Sequence, residues 1–99
     1  MYSYTKDVQF FGVTNPEELS RIYGTPLYVY SEQILRQRMQ DMTGILKDEA
    51  FTANYSIKTN SNLSILKIAL QEGLNADAMS PGEIHALLEA GFPKERIFY

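Results

Sequence analysis

The segment Tyr55-Ser56-Ile57-Lys58-Thr59-Asn60 decides the fold, because it ends an alternating run of side chains with a lysine. Apolar and small polar residues alternate before it, as in a β-strand with two different faces. The apolar positions are Phe51, Ala53, Tyr55 and Ile57, and the polar positions are Thr52, Asn54, Ser56 and Lys58. We expect helices to pack on the apolar face, and the polar face to border a space that packed side chains do not fill.

Lys58 is the chemically distinctive residue of the polar face. A lysine on an interior strand face is costly unless it is paired or loses its charge. A neutral, desolvated lysine is a nucleophilic amine that condenses with aldehydes. A lysine at the end of a strand also reaches solvent readily through its long stem, and periodicity alone favours that structural interpretation.

Strand and helix signals alternate along the rest of the chain. Strands are predicted at residues 26–30, in the segment that ends at Lys58, at residues 74–79 and from residue 96 onward. Helices are predicted after the capping residues Asn15, Ser31, Ser61-Asn62 and Ser80. The apolar positions of the last three helices are Ile34, Leu35, Met39, Met42, Ile45 and Leu46, then Leu63, Leu66, Ala69 and Leu70, then Ile84, Leu87 and Leu88.

This order of elements predicts an α/β fold in which right-handed crossovers join parallel strands. A closed barrel and an open doubly wound sheet share the order, so the pattern alone leaves both open. No Gly-x-Gly-x-x-Gly or phosphate-loop motif favours a nucleotide-binding open sheet. In barrels, catalytic groups lie at the carboxyl ends of strands, which is where Lys58 and Asp77 are predicted.

The composition excludes several classes of function. A formal net charge of −3, without any block of Lys and Arg, argues against a nucleic-acid or anionic-membrane partner. With no cysteine and 1 histidine, neither a disulfide framework nor a zinc site is expected, and no metal is assigned. No signal peptide or membrane span is predicted, and the absence of cysteine agrees with a cytoplasmic location.

The Lys58 segment resembles the Tyr-Ala-Val-Lys-Ala-Asn signature of the pyridoxal-phosphate enzymes built like alanine racemase. It looks most like the branch that contains the diaminopimelate and ornithine decarboxylases. Three further blocks agree in order and spacing, namely Tyr23-Gly24-Thr25-Pro26-Leu27-Tyr28-Val29-Tyr30, Asp77-Ala78-Met79-Ser80-Pro81-Gly82-Glu83 and Ala90-Gly91-Phe92-Pro93-Lys94-Glu95-Arg96-Ile97. Ser56, Ile57 and Thr59 depart mildly from the signature, and none of them removes a reactive group. The resemblance covers about residues 20–99.

The resemblance implies that residues 31–99 are the first βα units of an incomplete pyridoxal-phosphate-binding (β/α)8 TIM barrel. Residues 1–30 are then an N-terminal segment whose strand at residues 26–30 belongs to a separate β-domain. Such a barrel needs about 200 residues or more. The chain is therefore expected to be the N-terminal part of a longer enzyme, and this piece alone is expected to be inactive.

The resemblance also implies roles for individual residues. Lys58 is expected to bind pyridoxal 5'-phosphate covalently and to be catalytic. Asp77 is expected to assist proton movement beside it, although an acid before a helix also caps turns. Glu83 is expected mainly to complete a capping box at the start of its helix, while the family also has an acid here close to the lysine. Asn60 is expected to fix the loop, and His85 to lie on the surface.

The implied activity of the parent enzyme is decarboxylation of an amino acid, with meso-diaminopimelate as the expected substrate and lysine and CO2 as products. Decarboxylation of ornithine, arginine or carboxynorspermidine, racemisation on the same scaffold, and a non-catalytic cofactor-binding relative are the alternatives that remain open. The full-length enzyme is expected to be a cytoplasmic homodimer of lysine biosynthesis that binds neither nucleic acid nor membrane.

Overall fold

The computed structural model describes residues 14–45 and 50–99. The chain divides into two compact units, Met1–Leu35 and Arg36–Tyr99. In chain order the elements are α1 (Pro16–Tyr23), α2 (Glu32–Gly44), β1 (Asn54–Ser56), a 3₁₀ turn (Ile57–Thr59), α3 (Leu63–Gln71), β2 (Asn75–Asp77), α4 (Pro81–Ala90), a second 3₁₀ turn (Lys94–Arg96) and β3 (Ile97–Phe98).

The three strands form one parallel sheet in the order β1-β2-β3. Helix α3 connects β1 to β2, and helix α4 connects β2 to β3, as parallel neighbours require. The predicted α/β order with parallel strands is therefore confirmed. In the part of the chain that the structure describes, no helix combines the length and the apolar character needed to cross a bilayer.

The core of the second unit gathers residues from the sheet and from helices α3 and α4, which contact each other. Its largest fully buried side chains are Ile57 after β1, Leu66 of α3 and Leu87 of α4. Each side chain of this size contributes about 1.5–3 kcal/mol when it leaves water. Ala69 of α3 and Ala76 of β2 are also fully buried and belong to the same core.

The predicted apolar face of α3 is partly wrong. Leu66 and Ala69 are buried as predicted, but Leu63 is 42% exposed and Ile65, outside the predicted face, is buried. Leu63 is the first residue of the helix, and side chains in a helix lean toward its N-terminus. This position at the start of the helix agrees with the exposure of Leu63.

In helices α2 and α4, too, the buried face is narrower than the predicted apolar face. In α4, Leu87 is buried whereas its neighbour Leu88 is 51% exposed, because adjacent residues point about 100° apart around a helix. In α2, Met39 is buried, and the exposed positions of the predicted face are Met42 and Ile45. Leu46, the last predicted position, lies outside the described residues.

The predicted strand through Lys58 ends earlier than its alternation indicates. Strand β1 stops at Ser56, and a 3₁₀ turn follows. Within this turn the Thr59 hydroxyl donates to the Ser56 carbonyl at 2.7 Å, and the Asn60 N–H donates to the Ile57 carbonyl at 3.1 Å. These local bonds compete with the sheet ladder and end the strand. The strands predicted at residues 74–79 and from residue 96 are also shorter in the structure, at Asn75–Asp77 and Ile97–Phe98.

Residues 26–30 form no strand in the structure, and none of the described strands pairs with them. The side chains at positions 27–30 are exposed. A strand needs a neighbour for its ladder of hydrogen bonds, and such a neighbour is absent from the described residues. The assignment of this segment to a β-domain stays a prediction. The beginning of the same segment, residues 1–13, lies outside the described residues.

The predicted helix caps at Asn15, Ser31 and Asn62 are confirmed by their hydrogen bonds. Asn15 Oδ1 accepts a hydrogen bond from the Glu18 N–H at 2.7 Å, and Pro16 follows as the first residue of α1. Ser31 Oγ accepts from the third residue of α2 at 3.3 Å, and Asn62 Oδ1 accepts from the second residue of α3 at 2.9 Å. These bonds satisfy N–H groups that have no partner inside the helix.

An ion pair connects α2 to the end of α3. Arg36 Nη1 lies 3.0 Å from Glu72 Oε1, and Gln40 Nε2 donates to Glu72 Oε2 at 3.1 Å. The hydrogen bond from Arg36, followed by that from Gln40, lowers the pKa of Glu72 below its usual value of 4.5. The charged form of Glu72 is therefore favoured in the folded chain.

We predict that the Glu72 contacts make stability depend on acid pH. Because the pKa of Glu72 is lower in the folded chain, its contribution is present above about pH 4.5 and disappears as the pH falls through the folded value. Glu72→Gln should lower the urea midpoint at pH 7, and the gap to wild type should close below pH 4.5. Glu95→Gln, an exposed control, should show no gap. A gap between Glu72→Gln and wild type that does not change as the pH is lowered would contradict this account.

Candidate functional site

The carboxyl ends of β1 and β2 meet at one edge of the sheet. Ser56 and Asp77, the last residues of these strands, are aligned in register. Lys58 follows within the 3₁₀ turn Ile57–Thr59. Neighbouring strands lie about 4.8 Å apart. The structure therefore places the turn that contains Lys58 beside the strand end that contains Asp77, as the sequence predicts.

Lys58 is exposed, which corrects the expectation of a desolvated lysine on an interior strand face. The 3₁₀ turn is the physical reason, because it takes Lys58 out of the pleated strand. Its neighbour Ile57 is fully buried and anchors the turn in the core. Lys58 thus offers an accessible primary amine on an anchored backbone.

Asp77 is half-buried and is held from the neighbouring strand. Asn54 Nδ2 donates to Asp77 Oδ1 at 3.3 Å, across the face that Asn54, Ser56, Asn75 and Asp77 share. Within residues 14–45 and 50–99, no ion pair shorter than 4 Å joins Asp77 to Lys58. The following helix is capped by Ser80 rather than by Asp77. Asp77 is therefore a carboxylate at the site edge that a side chain of β1 orients.

Tyr55 closes the turn that contains Lys58. Its hydroxyl donates to the Asn60 carbonyl at 2.7 Å, and both residues are half-buried. Asn60 Oδ1 in turn accepts from the Asn62 N–H at 3.0 Å, as its predicted role in the loop requires. The alternation assigns Tyr55 only to the apolar face and misses its hydroxyl. The available signal is that a partly buried tyrosine needs a partner for its polar tip.

Glu83 and His85 occupy the first turns of α4. Ser80 Oγ accepts from the Glu83 N–H at 3.1 Å, and Glu83 Oε1 accepts from the Met79 N–H at 2.6 Å. The predicted capping role of Glu83 is confirmed, although its carboxylate bonds one residue before the N-cap. His85 is exposed, which confirms its predicted surface position. Its Nε2 lies 3.8 Å from Glu89 Oε1.

Two grooves lie away from these residues. A groove of about 510 Å³ in the first unit is lined by Pro16, Glu17, Leu19, Ser20, Thr25, Leu27 and Val29. A smaller one of about 180 Å³ in the second unit is lined by Met42, Thr43, Ile45, Phe51, Thr52 and Ala53. Neither contains Lys58 or Asp77. Both are mainly apolar, and neither brings together groups for acid–base or covalent chemistry.

The sheet edge combines a primary amine from Lys58, a carboxylate from Asp77 and an amide from Asn54. A primary amine forms covalent bonds with aldehydes, and a nearby carboxylate can accept or donate a proton. The set contains no thiol, imidazole or cluster of acids. It therefore suits covalent binding of a carbonyl compound better than metal-assisted hydrolysis.

The amino-acid sequence of this chain is similar to those of known proteins. Residues 32–99 match the family described as pyridoxal-dependent decarboxylase, pyridoxal binding domain. A diaminopimelate decarboxylase of Methanothermobacter thermautotrophicus is 40% identical over 90 residues, which are 89% of this chain and 21% of the relative. The Zymomonas mobilis enzyme of that name is 40% identical over 86 residues, 83% of this chain and 20% of the relative. The Bacillus subtilis one is 36% identical over 83 residues, 82% of this chain and 19% of the relative. The chain spans about a fifth of the length of these curated relatives.

We predict that the Ser80 cap matters more for stability than the charge of Glu83. Ser80→Ala removes the acceptor of the Glu83 N–H and should lower the free energy of unfolding by about 1 kcal/mol. Glu83→Gln keeps an oxygen for the Met79 N–H and should cost clearly less. Urea unfolding of the complete gene product measures both, with Ser80→Thr as the variant that retains the hydroxyl. Equal losses for Ser80→Ala and Glu83→Gln would show that the charge dominates.

Proposed function

Because this chain belongs to the pyridoxal-dependent decarboxylases, whose pyridoxal binding domain matches residues 32–99, we propose that it is part of a meso-diaminopimelate decarboxylase that releases lysine and CO2. The substrate assignment rests on the diaminopimelate decarboxylases among its relatives. The observation that carries the proposal is the exposed amine of Lys58 beside Asp77, at the shared carboxyl edge of β1 and β2.

The residues at this edge fit pyridoxal 5'-phosphate, the cofactor of the family. Covalent attachment of an aldehyde to the protein requires an accessible primary amine. Lys58 supplies one on a turn whose backbone is anchored. The neighbouring side chains of Asn54 and Ser56 are small and polar. When bound, the cofactor takes up the electron pair that remains after the carboxylate leaves as CO2. Lys58 Nζ would hold the cofactor, and Asp77 would lie beside the point of attachment.

In this proposal, Lys58 and Asp77 have separate roles in proton transfer. After the substrate amine replaces it, Lys58 Nζ can carry a proton and pass it to the substrate carbon that has lost CO2. The Asp77 carboxylate lies at the neighbouring strand end, where it can accept or donate a proton during the reaction. Asn54 keeps one oxygen of that carboxylate in place from the adjacent strand.

The architecture of the complete protein is part of the same proposal. We infer that residues 31–99 begin a (β/α)8 barrel and that residues 1–30 contribute to a separate β-domain. The parallel β1-β2-β3 order and the site at the carboxyl edge support the barrel. The family resemblance supports a cytoplasmic homodimer with an amino acid as its small-molecule substrate and no nucleic-acid or membrane partner.

Covalent labelling of the complete gene product tests the role of Lys58. With pyridoxal 5'-phosphate and borohydride, the pyridoxyl mass should be found on the peptide that contains Lys58. Lys58→Arg should abolish both the label and CO2 release from meso-diaminopimelate, because a guanidinium stays protonated and does not attack an aldehyde. CO2 release from ornithine, arginine and carboxynorspermidine, measured in parallel, tests the substrate.

Lys67→Arg is the matched control, because Lys67 is exposed on helix α3 outside the site. It should keep both the label at Lys58 and the turnover of wild type. A label at Lys67, or normal turnover by Lys58→Arg, would overturn the assignment of Lys58.

The role of Asp77 is tested by Asp77→Asn, which keeps an oxygen acceptor for Asn54 but removes the charge. We expect kcat for CO2 release to fall about 100-fold, which is within the range of rate loss when general acid–base catalysis is removed. Labelling of Lys58 should remain. Glu89→Gln, which removes an exposed carboxylate on α4, should leave kcat unchanged. Normal turnover by Asp77→Asn would show that Asp77 does not act in the reaction.

A further inference from the structure

We propose that Tyr55 is a positioning residue whose hydroxyl, by closing the turn Ile57–Thr59, aims the Lys58 amine at the aldehyde carbon of the cofactor. This inference rests on the proposed function of Lys58. In the step concerned, the neutral amine nitrogen forms a bond to the aldehyde carbon. The aldehyde oxygen leaves as water with the two hydrogens of the amine.

The bond from Tyr55 spans the segment that contains Lys58. Tyr55 Oη donates to the Asn60 carbonyl at 2.7 Å, so that the strand before the turn is connected to the loop after it. Two further bonds lie inside the turn, from Thr59 Oγ1 to the Ser56 carbonyl and from the Asn60 N–H to the Ile57 carbonyl. Lys58 lies between the two ends that Tyr55 connects.

The direction of the Lys58 amine depends on this backbone. The lysine stem is flexible, and among the described residues no hydrogen bond or ion pair holds the Lys58 amine. A looser turn spreads the amine over more positions, and a misplacement of about 1 Å costs about 100-fold in rate where geometry matters. The Tyr55 hydroxyl therefore governs the direction of the Lys58 amine in this proposal.

Tyr55→Phe isolates the hydroxyl because it retains the ring. In the cofactor-free complete gene product, we expect the second-order rate of covalent capture of pyridoxal 5'-phosphate, followed by stopped-flow absorbance, to fall about 10-fold. Pyridoxine 5'-phosphate, which lacks the aldehyde, should bind with unchanged affinity. A slower capture with unchanged binding of this analogue is the signature of a misdirected amine in an intact site.

Two further variants make the test specific. Thr59→Val keeps the branched shape but removes the bond to Ser56, so it should also slow capture, by a smaller factor. Tyr28→Phe makes the same chemical change at a tyrosine that is 88% exposed, and it should capture the cofactor at the wild-type rate.

The outcomes separate this inference from the proposed function. If wild type is labelled at Lys58 and Tyr55→Phe captures the cofactor equally fast, the positioning role is overturned and the proposed function stands. If Tyr55→Phe loses affinity for pyridoxine 5'-phosphate, the hydroxyl supports the whole site and the positioning role is again overturned. If wild type carries no label at Lys58, the proposed function itself fails.

Discussion

The burial of Ile57 is the constraint on which the geometry of this sheet edge depends. Ile57 is fully buried, and the residues on either side of it are half-buried Ser56 and exposed Lys58. A buried side chain of this size contributes about 1.5–3 kcal/mol, which is a large fraction of the stability of a small domain. The chain therefore reaches the core immediately before Lys58, and the lysine backbone starts from a fixed point.

The sequence predicts the parts of this structure whose signals are local or periodic. The caps at Asn15, Ser31 and Ser80 follow from residues at most three positions away, and the strand–helix alternation gives the parallel order. The end of β1 does not follow, because Ile57 and Lys58 continue the alternation equally well in a strand. What ends the strand is competition from the Thr59 hydroxyl, whose bond to the Ser56 carbonyl depends on the folded turn.

In the candidate site, too, some features could be predicted from the sequence and others could not. Lys58 and Asp77 could be placed at one edge from the sequence, because parallel strands bring their carboxyl ends together. The bond between Asn54 and Asp77 could not be predicted, since it requires the register that pairs Ser56 with Asp77. The exposed position of Lys58 could not be predicted either, because it results from the turn and not from the pattern.

Side chains on one face of β2 bond to strand β1 and to the 3₁₀ turn that precedes β3. Asn75 Oδ1 accepts from Arg96 Nε at 3.2 Å at the start of the strand, and Asp77 accepts from Asn54 at its end. A slip of one residue would turn this face over and put Ala76, whose side chain accepts no hydrogen bond, where Asp77 accepts from Asn54. The Asn54–Asp77 bond therefore favours the register of β1 and β2 that brings Asp77 beside the Lys58 turn. A lysine and an acid in the sequence are not enough for such a site, because the register of β1 and β2 must also be held.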